Sequence, residues 1–291
     1  MGRWLYGLTV GTMVLLAACG TAAQAGKASP RPSTSPASTG QASTAVATPQ
    51  PSPTPTVIDA AYVASELAGV EEAIRVADTP TEEYVELGYR QQQAYHLLAT
   101  HAAWVPTVLD ALPASIRSVV QDNLAAAQQI DELNGARSSL PHWRIIAPPA
   151  PDVLLGFYHE SQQAYGVAWQ YLAAINLIET NMGRIQGLSS AGAQGPMQFM
   201  PATWASYGHG DVNNPRDAIL AAGRYLKAHG APQNMTRAIY AYNPSMLYVR
   251  AVQLYAKQIF DDPHAFLAYY NWQVYVQTTN GEVLLPEGFS G

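Results

Sequence analysis

The sequence predicts a mainly α fold with a small C-terminal β-hairpin, preceded by an export segment and a tether. Three observations predict it. Helix-start signals recur between residues 79 and 217, apolar residues repeat at helical spacing, and only the last stretch alternates apolar and polar residues around an Asn-Gly pair. In a chain of 291 residues, 48% hydrophobic content supplies a core, while 12% charged residues is about half the share usual in a soluble domain.

The N-terminus comes first. Arg3 is followed by an uncharged, mostly apolar run from Trp4 to Ala18, shorter than the roughly 20 residues a helix needs to span a bilayer. It ends in Leu16-Ala17-Ala18-Cys19, where Cys19 is the one cysteine of the chain. That placement resembles the bacterial lipobox, which implies a signal peptide over residues 1–19, cleavage before Cys19 and a diacylglyceryl group on its thiol. The chain would then be exported and held by lipid at the outer face of the cytoplasmic membrane. Residues 20–57 read as a disordered tether: Ala, Ser, Thr, Pro and Gln dominate, with no acidic or aromatic residue. At about 3.1 Å per residue a fully extended tether would reach on the order of 100 Å, into the cell wall.

The remaining elements follow in order. Residues 58–150 are expected to form an N-terminal helical region packed on the catalytic region. Thr79-Pro80-Thr81-Glu82 reads as an N-cap, a proline at the first helical position and a glutamate at the third, opening a helix to about His101. Ala114 to Leu133 is a second helix, stopped near Gly135. Ser138 to Pro151 looks irregular, with Asp152 placed to cap a helix through Tyr158. Another helix runs to Thr180 from about Pro151 or Gly166. Asn214-Pro215-Arg216-Asp217 repeats the cap logic, with Ile219, Ala222 and Leu226 on one face and Gly230 as a stop. Thr236 to Ile259 gives one or two helices interrupted at Pro244. Trp272 to Gln277 alternates, Asn280-Gly281 turns and Val283 to Leu285 returns.

Charge narrows the partners. All 21 acidic residues lie from Asp59 onward, against twelve basic ones after residue 57, a net −9 for that part. A nucleic-acid partner is disfavoured. With one cysteine and seven histidines showing no ligand spacing, no metal and no cofactor are inferred. Asp211-Val212-Asn213 opens like a calcium loop, but Arg216 and Ala222 occupy its sixth and twelfth positions.

One carboxylate stands out. Glu179 follows Leu172 and Ile175 along the buried stripe of its helix and lies in the last turn before Gly183. Desolvation and the negative end of the helix dipole both disfavour its anion, pushing it towards a group that can hold and donate a proton. On position alone, a half-exposed helix-end glutamate is the other reading. After it comes Ser189-Ser190-Ala191-Gly192-Ala193-Gln194-Gly195-Pro196-Met197-Gln198-Phe199-Met200-Pro201-Ala202-Thr203, then Asn214-Pro215 with Ala218-Ile219, and Ala241-Tyr242-Asn243. In that order these pieces resemble the soluble and membrane-bound lytic transglycosylases, over about residues 150–275, with wording similar to actinobacterial members.

The resemblance implies a lysozyme-like helical domain of the goose type over residues 151–291, acting on peptidoglycan glycan strands. It implies Glu179 as sole catalytic acid/base and Ser189 as the serine orienting substrate beside it. Gln198 and Met200 would line the cleft, Tyr242 would hydrogen-bond the glutamate region and Asn243 would fix the local backbone. Thr180 stands where the family usually has serine. The family chemistry cleaves the MurNAc-GlcNAc β-1,4 bond without water: the glutamate protonates the leaving oxygen, then accepts the proton of the C6 hydroxyl as a 1,6-anhydro ring closes. Two alternatives stay open, a hydrolytic muramidase of the same fold using Asp211 to activate water, and a non-catalytic peptidoglycan-binding lipoprotein. Protein partners are not legible.

Overall fold

A computed structural model describes residues 57–291. The export segment, Cys19 and the tether up to residue 56 lie outside the described residues, and the described residues fall in one compact unit. The architecture is mainly α, with eleven α-helices and two two-stranded sheets among the described residues. No described helix is long and apolar enough to cross a membrane.

The first helices are α1 (Ala60–Ile74), α2 (Tyr84–Thr100), α3 (Val105–Ala111) and α4 (Ala114–Asn134). Their facing side chains, including Val63, Leu67, Leu98, Val108 and Val120, are fully buried together. The capping expected of Thr79 is absent. A 3-10 turn over Thr81–Glu83 precedes α2, and the Thr79 hydroxyl instead donates to the Ala73 carbonyl at 2.9 Å. That carbonyl belongs to the last turn of α1, where acceptors lack helical partners. α4 ends as read, with Gly135 at φ +61 after its last residue.

Next come β1 (Arg144–Ile145), α5 (Pro151–Tyr165), α6 (Trp169–Thr180) and β2 (Ile185–Gln186). β1 and β2 pair antiparallel, tying the stretch before α5 to the segment just after α6. Asp152 sits in the first turn of α5 but makes no cap, because Pro151 already occupies the first helical position and Ala150 precedes it. Gly166, in the left-handed region, ends α5, so α6 starts at Trp169.

The chain continues through α7 (Pro201–Tyr207), α8 (Pro215–Ala228), α9 (Met235–Tyr242), α10 (Met246–Asp261) and α11 (His264–Tyr270) to β3 (Val274–Thr278) and β4 (Gly281–Leu285). Asn214 caps α8 as read, accepting from Arg216 N at 3.0 Å and Asp217 N at 3.2 Å. Ile219, Ala222 and Leu226 are fully buried. The chain breaks between α9 and α10 around Pro244. The hairpin forms, but its register differs by one from the expectation. Gly281 pairs with Thr278, so Thr279 and Asn280 make the turn. The Thr278 hydroxyl closes it, donating to Gly281 O at 2.6 Å and accepting from Asn280 N at 3.1 Å.

α6 is the axis of the main core. Leu172, Ala173, Ala174 and Ile175 are all fully buried, under α5, α10 and α11. Burying Leu172 and Ile175 stabilises by roughly 1.5–3 kcal/mol each. A polar net joins α1 and α2 to the segment after α11. Glu71 of α1, fully buried, pairs with Arg75 at 2.5 Å and accepts from Tyr95 at 2.6 Å and Gln91 at 3.0 Å. Gln91 in turn accepts from Trp272 Nε1 at 2.9 Å, and Gln92 exchanges two hydrogen bonds with the Gln273 backbone at 2.8 and 2.9 Å. These partners carry the buried charge that would otherwise be costly.

α2 and α11 cross at Gly88, where a Cβ would stand 2.5 Å from Ala268 O and 2.9 Å from Asn271 Cβ. Gly88→Ala gains about 1 kcal/mol of helix propensity, but backbone oxygen cannot yield, and overpacking costs about 1–3 kcal/mol. The net expectation is a melting temperature several degrees lower in a calorimetric scan. A melting temperature at or above wild type would show that the helices separate freely there.

Candidate functional site

Glu179 stands in the last turn of α6, which ends at Thr180 with Asn181 in the left-handed region at φ +50. The helix delivers it from the core outward, so the residue as a whole is half-buried. Desolvation raises its pKa to about 7, against the smaller opposing effect of a hydrogen bond from Tyr248. The Tyr248 hydroxyl donates to Glu179 Oε1 at 2.6 Å. No second carboxylate contributes to the shift. A carboxyl near 7 is poised to give and take a proton at neutral pH.

Tyr248 was not legible as a site residue. It comes from α10, and in the sequence it is one more aromatic on the stripe Tyr248, Val252, Tyr255. Tyr242 is placed differently from the expectation that it bonds the glutamate region. Its hydroxyl donates to Met197 O at 2.6 Å, and its ring stacks parallel to Tyr248 at 6.5 Å. The Glu179 charge still reaches it: burial first, then that carboxylate, raise the Tyr242 hydroxyl well above its ordinary pKa. Tyr242 therefore anchors the loop, and Tyr248 holds the acid.

The loop after Glu179 is clamped to the helix that carries it. Asn176 Nδ2 donates to Pro196 O at 2.9 Å, and Thr180 Oγ1 donates to the same oxygen at 2.5 Å. Thr180 also accepts from Gly183 N at 3.1 Å. Asn176 accepts from the Tyr158 hydroxyl at 2.7 Å, which holds its amide in place. The lone polar residue in the apolar run of α6 is a signal that could have found this clamp, since a buried amide must be satisfied. Beyond Pro196 the chain turns tightly. Gln194 and Phe199 exchange backbone hydrogen bonds at 2.9 and 2.8 Å. Gly195 (φ +73) admits no side chain, because a Cβ would lie 1.9 Å from Val212 O.

The expected cleft residues fall into two groups. Gln198, Met200 and Tyr242 line one cavity of about 240 Å³ together with Thr203 and Tyr225. Gln198 adopts φ +48, with its side-chain amide donating to Gly195 O at 2.9 Å, and Met200 is exposed at the rim. Ser189 lies in a separate cavity of about 420 Å³ with Ser190. Its hydroxyl accepts from Ala191 N at 3.2 Å and Ala193 N at 3.0 Å, so it shapes its own loop. Asn243 ends α9 and its carbonyl accepts from Ser245 N at 2.7 Å, turning the chain into α10. Asp211 accepts from Asn213 N at 2.9 Å within its own exposed turn. Among the described residues, no group of three or more His, Cys, Asp or Glu side chains could hold a metal.

Residues 157–259, about a third of the chain, match the family described as Transglycosylase SLT domain. The matched stretch runs from α5 to α10 and contains Glu179, its clamp and Tyr248. Among solved structures the chain is similar to the Escherichia coli lytic transglycosylase SLT35, in a complex with bulgecin A. The identity is 16%, with 66% of this chain and 92% of that chain covered, at a TM-score of 0.36. A superposition this loose leaves the fold to be argued from the helices themselves. No curated protein matches the chain.

The raised pKa has a sign. The folded value lies above the unfolded one, so the anion is disfavoured by folding. The penalty is absent below about pH 4.5, grows between 4.5 and about 7, and is complete above. Glu179→Gln removes it, offset by a weakened bond to Tyr248. The variant should melt roughly 2–4 °C above wild type at pH 8 and no higher at pH 4, read by calorimetric scans at both values. An equal difference at both pH values would contradict the desolvated carboxyl.

Proposed function

We propose that this chain is a lipid-anchored peptidoglycan lytic transglycosylase that leaves 1,6-anhydroMurNAc ends. The observation that carries the reading is a single carboxyl at the end of α6, held by the Tyr248 hydroxyl at 2.6 Å, whose pKa burial raises to about 7 with no contribution from a second carboxylate. Glycosidases that use water or a protein nucleophile place two carboxyls across the bond, roughly 5–9.5 Å apart. Here the second role falls to the substrate. Glu179 in its protonated form donates to the glycosidic oxygen as that bond breaks. The resulting carboxylate accepts the proton of the muramic C6 hydroxyl as its oxygen closes on C1. Protons and bonds balance, and Glu179 returns to its starting state. A pKa near 7 suits both halves of that cycle. Gln198, Met200 and Tyr242 supply the rim against which a sugar would sit.

The hydrolytic rival needs Asp211 as water activator. Its carboxylate is engaged by Asn213 in an exposed turn, which counts against it. The non-catalytic rival leaves the strained carboxyl without a role.

Mass analysis of sugar ends released from purified peptidoglycan tests this reading. Anhydromuramic ends should dominate; reducing muramic ends as the main product would move the chain to the hydrolytic rival. Glu179→Gln should lower turnover by at least about 10²–10⁴ while glycan binding persists. Wild-type turnover in that variant would remove Glu179 from the chemistry.

The membrane link rests on the sequence around Cys19. Cys19→Ala should leave the membrane fraction or persist as uncleaved precursor. Fatty-acid labelling of the variant at the wild-type level would refute lipidation.

A further inference from the structure

We propose that the groove between residues 137–143 and the 188–190 loop binds a carboxylate on the peptide branch of the glycan strand, with Arg137 as the residue that reads it. The proposal rests on the reading that the chain acts on peptidoglycan. The groove encloses about 420 Å³, with Arg137, His142 and Trp143 on one side and Leu188, Ser189 and Ser190 on the other. No Asp or Glu lines it, although the chain after residue 57 is strongly acidic. An anion in it would therefore meet no carboxylate on the lining.

Arg137 is built for such a ligand. Its backbone is fixed on the hairpin, donating to Gln277 O at 2.9 Å and accepting from Thr279 N at 2.9 Å. Its guanidinium lies 5.2 Å from the Trp143 ring centroid and forms no ion pair among the described residues. Among the described residues its side chain makes no hydrogen bond, and a guanidinium edge fits a carboxylate with two parallel hydrogen bonds. Trp143 is in turn locked. A Cβ on Gly187 would come 2.7 Å from Trp143 Cδ1, and its indole N–H donates to Leu188 O at 3.3 Å.

The same geometry argues against a sugar platform. A ring that stacks sugars needs an open face, whereas Arg137 covers this one. Leu140 and Leu188, both exposed, add apolar surface at the groove for the small side chains of a peptide. Ser189 belongs to the loop that follows α6, the helix that carries Glu179, which ties one wall of the groove to that helix along the chain.

The test uses purified full-length protein on two substrates, glycan strands with peptides intact and the same strands with peptides removed by an amidase. Wild type should favour intact strands in kcat/KM by roughly tenfold or more, the scale of a charged hydrogen-bond pair. In Arg137→Ala that ratio should fall to near one, and Arg137→Lys, which keeps the charge and stem, should recover only part. An unchanged ratio in Arg137→Ala would overturn the proposal. Calorimetry with a free muramyl tetrapeptide supplies an arm that does not need cleavage. Binding should weaken roughly tenfold in Arg137→Ala and in an amidated peptide. Equal binding of both peptides, or displacement by equimolar inorganic phosphate, would overturn it. Wild type that cleaves neither strand would sink the transglycosylase reading, while the calorimetric arm still decides the groove.

Discussion

The structure turns on one constraint: an ionisable carboxyl must sit at the mouth of a core that does not tolerate its charge. Glu179 is placed there by α6, whose other side chains are mostly buried. Everything around α6 serves to hold that end still. α5, α10 and α11 close on its sides, and α10 brings Tyr248 to the carboxyl. A single hydrogen bond from Tyr248 satisfies one oxygen yet does not cancel the desolvation, which is why the pKa rises instead of falling.

Placement of the acid and placement of the loop are the same problem. Asn176 and Thr180, one turn apart on α6, both reach Pro196 O, and Tyr242 reaches Met197 O from α9. Three side chains from two helices thus fasten the 194–199 turn to the helix that carries Glu179. The N-terminal helices take part more remotely. The Glu71 net and the Gln91 and Gln92 contacts join α1 and α2 to the segment after α11, which packs on the main core. Rigid support of this kind is what a group needs if it must meet a glycosidic oxygen and later a hydroxyl without moving.

What the sequence made legible was local. Asn214 could be read as a cap because its partners are two and three residues away. Helical periodicity placed Glu179 beside the buried stripe, and the motifs that follow it from Ser189 onward, rather than periodicity alone, singled it out. Thr79 and Asp152 failed as caps: one hydroxyl found a carbonyl of the preceding helix, and the other site was already filled by Pro151. The hairpin slipped by one because the Thr278 side chain, and not the Asn-Gly pair alone, sets the turn. α11 went unread, being seven residues long and without a side-chain cap. Tyr248 lies 69 residues from Glu179 and looks like any core tyrosine until the chain is folded. Its identity as the partner of the acid is a tertiary fact with no local signature.

The central claim is that folding holds the Glu179 carboxyl protonated to neutral pH. The direct measurement is a carbon-13 NMR titration of its side-chain carboxyl in the full chain, assigned by loss of the signal in Glu179→Gln. The account predicts a midpoint near 7, well above an ordinary glutamate. A midpoint near 4.5 would mean that water reaches the carboxyl freely, and would contradict the account.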